Sequence, residues 1–327
     1  MSYNKKLVIV TTTINSPTIA TRRFCEIAQS RANTVFVIVG DSKTPHDEYV
    51  KLANEFGEGK VVYLDPMTQQ DSYPEISSVI GWKTIERRNI GYLYAYDSGA
   101  DILASVDDDN IPYANWGQDI KVGETVAYDC YRSKRSEFFD PLSVTKDNHL
   151  WHRGYPIEHL QTRHEVEFVG RRYKKCLIQA NLWDGDPDID AMARLIYKPC
   201  VKYSDVTGPY GSEQKSPFNS QNTFIAREAM PFYTMIPFVG RMDDIWGSYI
   251  LQHYCPNSVV YDVATVYQDR NVQDLVTNLE AEVIGYRNTL SLAESGGDFT
   301  KFFTEDMLKF WELWKAHFHP KLYEPSV

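Results

Sequence analysis

Over its first hundred residues the chain alternates short β-branched apolar runs with stretches of helical spacing, and few architectures accept that rhythm. Residues 7–11 and 34–39 are apolar and β-branched, as are Val61–Leu64 and Ile102–Val106. Between them, 17–30, 45–56 and 84–98 read as helices. The second puts Tyr49, Leu52, Ala53 and Phe56 on one face; the third carries Ile85, Leu93 and Tyr96. Strands spaced by helices predict an α/β fold with a mostly parallel sheet and helices on both faces. Such sheets bind ligands outside the carboxyl ends of their strands. Thr11-Thr12-Thr13-Ile14-Asn15, Gly40-Asp41-Ser42 and Asp107-Asp108-Asp109 all fall at those ends and are expected to share one crevice.

The later sequence is less regular. From about 120 to 220 polar, Gly- and Pro-bearing stretches predict loops and short antiparallel strands, with a helix at 189–197. Strand character returns at Phe224-Ile225 and Val259-Val260-Tyr261, around a helix at 244–254. A last helix at 304–318 aligns Phe303, Met307, Phe310, Trp311, Trp314 and Phe318 on one face. Docking on the body is its expected role, with an oligomer contact as the alternative. His317-Phe318-His319, at its end, is read as packing rather than as a metal pair. With no repeat or low-complexity linker, the expectation is one continuous domain over 1–271, in halves 1–120 and 121–271, and a helical extension over 272–327.

Composition excludes several classes. The 327 residues carry a formal charge of −10, which does not suit non-specific nucleic-acid binding. Local basic clusters stand at Arg132–Arg135 and Arg171–Lys175. No apolar run reaches the roughly 18 residues of a membrane span. The run at 7–10 that follows Met1-Ser2-Tyr3-Asn4-Lys5-Lys6 is too short for a signal peptide, so a cytoplasmic setting is expected. Five scattered cysteines without a CxxC pair agree with reduced thiols and no zinc site. The 22 tyrosines and 7 tryptophans suit stacking on sugars or a Tyr-rich core equally.

Three acidic clusters carry chemistry. In the triplet, alternate side chains of an extended segment point the same way, so Asp107 and Asp109 can face one ligand, and a divalent cation offsets their repulsion. Trp183-Asp184-Gly185-Asp186-Pro187-Asp188-Ile189-Asp190 resembles a calcium loop but lacks its Gly at position six and Glu at position twelve. It reads either as a polar turn capping a helix or as a loop in which Asp186 and Asp188 bind sugar hydroxyls and Trp183 stacks on a sugar face. Asp243-Asp244 opens the helix at 244–254. A plain N-terminal cap is one reading of it.

Arg87-Arg88-Asn89-Ile90-Gly91 opens a helix about twenty residues before the triplet. Arginines or a helix start can meet a diphosphate whose charge a metal on the triplet offsets. In these two parts the chain resembles the nucleotide-sugar-dependent glycosyltransferases of the GT-A fold. The likeness is closest to the STELLO-type glycosyltransferases and more distant to the reversibly glycosylated polypeptides, which act as UDP-arabinopyranose mutases. It is carried by residues 10–18, Arg88–Ala95, Asp107–Asn110, Gly185–Ala191, Gly240–Trp246 and Gln268-Asp269-Arg270-Asn271.

The resemblance implies a metal-dependent transfer of sugar from a nucleotide donor, a UDP-sugar, to an acceptor hydroxyl, with Mn²⁺ or Mg²⁺ as cofactor. The acceptor would be a glycan, a protein, a lipid-linked sugar or a modified DNA base. By it, Asp107 contacts ribose or metal, Asp109 ligates metal, and Asp108 reaches the donor sugar. Thr11, Thr13 and Asp41 line the nucleoside pocket, and Arg88 and Asn89 serve the diphosphate. Asp244, with Asp243 second, is the catalytic base of an inverting reaction. Arg241 holds phosphate or pairs with these aspartates. Arg270 and Gln268 close over the donor, Gln268 completing the metal shell. Rival readings are a UDP-sugar mutase, a nucleotidyltransferase (which lacks its Gly-rich basic loop here) and a non-catalytic sugar-binding module.

Overall fold

The computed structural model describes residues 5–57, 59–270 and 273–323. Met1–Asn4 and Asn271, both used in the sequence reading, lie outside them. The amino-terminal half runs β1 (Leu7–Thr13), α1 (Ile19–Ser30), β2 (Thr34–Gly40), α2 (His46–Phe56), β3 (Val61–Leu64), α3 (Pro66–Ser72), α4 (Pro74–Ile80), α5 (Arg88–Asp97) and β4 (Ile102–Val106). Then come β5 (Asn110–Pro112), β6 (Thr125–Ser133), β7 (Val166–Lys175), β8 (Ile178–Gly185), α6 (Ala191–Ile196), β9 (Tyr210–Gly211), β10 (Asn222–Ala226), α7 (Asp243–Tyr254), β11 (Val259–Gln268), α8 (Leu275–Glu294) and α9 (Glu305–His317).

One sheet runs through both halves in the order β3-β2-β1-β4-β10-β8-β11-β9-β6-β7, with β5 paired to β11. Its first four strands are parallel; β10 then runs antiparallel to both β4 and β8, and β11 lies parallel to β8. This mixed, mostly parallel sheet flanked by helices is the α/β class expected. Of the four parallel strands, β1, β2 and β4 are buried on both faces, which is why they read as continuous apolar runs. Chain order reverses direction across the sheet between β1 and β4, so a crevice opens there at the strands' carboxyl ends.

Two helical features escaped the sequence reading. The seven-residue α3 and α4 are too short to show periodicity, and each starts with proline at its first turn, where a missing N–H costs nothing. The 20-residue α8 is capped by Asp274, which accepts from the Val276 and Thr277 amides. The strands expected to be short are not: β6 and β7 have 9 and 10 residues and form an antiparallel ribbon at the far edge. Of the 171–175 basic cluster on β7, Lys174 is buried, its Nζ donating to Ser212 O at 2.6 Å.

α9 docks as expected, packing on α4. Met307, Phe310, Trp311, Trp314 and Phe318 are buried, and Trp314 Nε1 donates to Pro231 O at 2.8 Å. His317 Nε2 lies 2.8 Å from Asp97 Oδ1. The five cysteines are free. Among the described residues no helix is long and apolar enough to cross a membrane.

Gly91 sets how closely α5 approaches the sheet. A Cβ there would lie 2.4 Å from Val10 Cγ1 and 2.8 Å from Val39 Cγ2, both on buried strands. Gly91→Ala should therefore overpack the core and destabilise the chain by about 1–3 kcal/mol, read as a lower urea midpoint at unchanged slope.

Candidate active site

β4 ends at Val106, and the triplet leaves it in a tight turn closed by Asn110 N donating to Asp107 O at 3.3 Å, so the expected strand alternation does not continue through it. Asp107 and Asp109 line one cavity of about 180 Å³, whereas Asp108 lines a second of about 270 Å³. Ile85 lines both, so the two cavities adjoin across the triplet. Asp108 is steadied by Thr13 Oγ1 and, at 3.0 Å, by Asn15 Nδ2. Asp109 Oδ1 is buried without a hydrogen-bond partner. Burial, then Asp107, pushes its carboxyl up to about 7, against the pull of Arg270.

An orphaned, buried carboxylate oxygen beside a second carboxylate is a donor set that fits a hard divalent cation. No group of three or more His, Cys, Asp and Glu side chains that could hold a metal occurs among the described residues. A cation here would thus rest on Asp107 and Asp109 and take other ligands from substrate, as Mg²⁺ commonly does. Gln268 lies beside Asp109 and pulls its carboxyl down. Its Oε1 already accepts from Gln221 Nε2 and from Arg270 Nη2, so it supports the carboxylate rather than offering a free oxygen.

Arg88 and Asn89 do not face a diphosphate. Arg88 is buried, with Nη2 2.7 Å from Asp107 Oδ1 and Nη1 3.0 Å from Ser220 Oγ. Burial opposes its charge most strongly, but Asp107, Tyr92 and Asp244 together outweigh burial and raise its pKa. Asn89, fully buried, donates to Met235 O and accepts from Met235 N and Thr234 Oγ1, which ties α5 to the 234–235 segment. Thr11 points into the core while Thr12 and Thr13 line the larger cavity. Trp183 is buried edge-on to His152, with ring centroids 5.7 Å apart, and cannot stack on a sugar. Asp41 lines the larger cavity, but its carboxylate is filled by backbone amides of Ser42, Lys83 and Thr84.

The smaller cavity is organised by a residue that no sequence pattern announced. Arg153 is buried between two carboxylates. Its Nε and Nη2 reach Asp188 at 2.9 and 2.8 Å, and its Nη1 and Nη2 reach Asp244 at 2.9 and 3.0 Å. Burial would raise both carboxyls; the guanidinium instead holds Asp188 well below the ordinary range and lowers Asp244. Asp244 also accepts from Ser220 N and Oγ, and Asp188 from Asn219 Nδ2. Neither carboxylate is therefore free for sugar or proton.

Asp243 differs. Burial, then Asp244 and Glu86, pushes it well above the ordinary range, and its Oδ2 is buried with no partner. Glu86 is itself pushed by burial to about 7.

The remaining arginines complete the wall. Arg241 Nε donates to Glu282 Oε1 at 2.9 Å, so α8, from beyond residue 271, also contributes to the site. Arg270 is buried 3.7 Å from Asp186 and 3.9 Å from Asp188, and its Nε has no hydrogen-bond partner. Asp186 is taken by Arg194 Nη1.

No family model matches the chain, and no curated protein matches it. Solved structures do align. One is glucosyl-3-phosphoglycerate synthase of Mycobacterium tuberculosis, at 10% identity and a TM-score of 0.45 over 88% of this chain and 82% of that one. Another is the same enzyme in complex with Mn²⁺, UDP and phosphoglyceric acid, at 11% identity and a TM-score of 0.44 over 89% and 78%.

Removing the Arg153 charge strands two buried carboxylates. Arg153→Met should cost about 3–5 kcal/mol in chemical denaturation, far more than an exposed arginine substitution such as Arg22→Met.

Proposed function

We propose that the protein is a metal-dependent glycosyltransferase of GT-A type that takes its sugar from a nucleotide donor, a UDP-sugar, and passes it to an acceptor hydroxyl. The observation that carries this reading is the split of the triplet at the carboxyl end of β4: Asp108 in one cavity, Asp107 and Asp109 in the next. A nucleoside in the larger cavity and a sugar in the smaller would place the linking diphosphate over the triplet. Carboxylates repel a diphosphate unless a cation lies between them, and the orphaned Asp109 oxygen offers it a place. Bound there, Mn²⁺ or Mg²⁺ supplies charge neutralisation for the departing phosphate. The resemblance to STELLO-type enzymes points the same way.

The chain's own groups divide the remaining work. Arg88 fixes the orientation of Asp107. Arg270 lines the cavity with an Nε that has no hydrogen-bond partner, and would serve as a donor for a departing phosphate oxygen. Asp243 is the proton acceptor for the incoming hydroxyl, and Asp244 is the anchored partner that keeps its neighbour's pKa high. A single displacement assisted by one carboxylate inverts the anomeric centre. Residues 1–120 would then hold the nucleotide and 121–271 the sugar and acceptor.

Asp109→Asn should abolish the metal dependence of UDP binding in calorimetry. Asp243→Asn should leave that binding within about threefold yet lower transfer by about 10²–10⁴-fold. Full transfer by both variants would refute the assignment. The sign for Asp243 is set by its raised pKa: the base form appears only as pH rises, so kcat should climb at a pH well above the carboxylate norm of about 4. That limb should vanish in the Asn variant.

A further inference from the structure

The larger cavity is lined by Asp41 and by two lysines. Asp41, at the end of β2 and 1% exposed, spends both carboxylate oxygens on the chain itself. Oδ1 accepts from Ser42 Oγ and from Lys83 N, both at 2.9 Å; Oδ2 accepts from Lys83 N at 2.7 Å and Thr84 N at 3.0 Å. These bonds draw the 83–84 turn onto the strand end and leave no acceptor for a ligand. They also hold Lys83 at a φ of +67°, a left-handed conformation uncommon for a residue with a side chain. Strain of that kind persists where the surroundings enforce it, and it clusters at ligand sites.

What Asp41 presents instead is a pair of cations. Lys43 and Lys83 line the cavity, and among the described residues neither ammonium has a hydrogen-bond or ion-pair partner. Two unpaired lysines in one cavity stand out in a chain of net charge −10. Beside them Ile14 and Ile85 are 53% and 47% exposed and give the cavity aliphatic walls suited to a flat ring. Resting on the nucleotide reading above, we infer that Lys43 and Lys83 read the edge of the base and select one that presents a carbonyl oxygen, with Asp41 as their positioning residue. Ammonium groups only donate. Uracil and guanine offer a carbonyl where cytosine and adenine carry an amino group, which is itself a donor.

The test is calorimetric binding of UDP, GDP, CDP and ADP, each with Mn²⁺, to the whole chain and to Lys43→Gln, Lys83→Gln and the double variant. The unaltered protein should prefer UDP or GDP by about tenfold or more over CDP and ADP, and comparing those two identifies which keto base fits. The double variant should lose that preference by weakening the keto nucleotide alone. Both lysines are exposed, so the thermal midpoint should not move. Asp41→Asn should lose the same preference with both lysines intact. An undiminished preference in the double variant overturns the inference. So does an equal loss for all four nucleotides, which would make the lysines phosphate contacts. Failure of all four to bind the unaltered chain refutes the nucleotide reading itself.

Discussion

The site depends on one guanidinium. Five aspartates line the smaller cavity, and unpaired they would repel one another and resist burial. Arg153 neutralises two of them together and fixes both by direct hydrogen bonds. It also joins distant parts of the chain: the loop before α6 through Asp188, the start of α7 through Asp244, and the turn before β10 through Ser220, which bonds Asp244. The loop that carries Arg153 is pressed onto α7 so closely that a Cβ on Gly154, at φ +81°, would meet Ile245 Cγ2 at 2.1 Å. Packing and charge thus specify the same position for the guanidinium. Replacing such a cluster with apolar residues is often neutral for stability, so its retention here fits a demand for charge placement rather than for a firmer fold.

Pairing two carboxylates leaves the others in a definite state. Asp244, ionised against Arg153, is a fixed negative charge next to Asp243, and that charge, added to burial, raises the pKa of Asp243. A helix start ordinarily favours an ionised carboxylate. The reversal at Asp243 comes from burial and from Asp244 and Glu86, so the roles of two adjacent aspartates are set by which one the arginine touches.

The parallel half was legible because buried strands write themselves as apolar runs. Val61–Leu64 and Ile102–Val106 match to the residue, and β1 and β2 merely extend by one or two. That Asp107 and Asp109 share a cavity was legible too, although a turn rather than strand alternation brings them there. Arg153 was not, since it lies in an irregular loop whose partners are 35 and 91 residues away. Glu282 was hidden because α8 shows no clean apolar stripe. Arg88, Asn89 and Gly91 were legible as a motif but not in their roles: each holds α5 against Asp107, the 234–235 segment or the sheet. A motif that positions a site looks, in sequence, like one that touches substrate.

The triplet shows why three consecutive carboxylates are useful at one strand end. Two would serve a cation, and Asp107 and Asp109 line the same cavity. The middle residue enters the neighbouring cavity, where Thr13 and Asn15 at the end of β1 receive it. Because β1 and β4 are adjacent and parallel, the turn that follows β4 brings the middle aspartate against the end of β1. That turn therefore registers the two cavities against each other. For a reaction that must hold a nucleoside and a sugar at a fixed separation, that registration matters more than the affinity of either cavity alone.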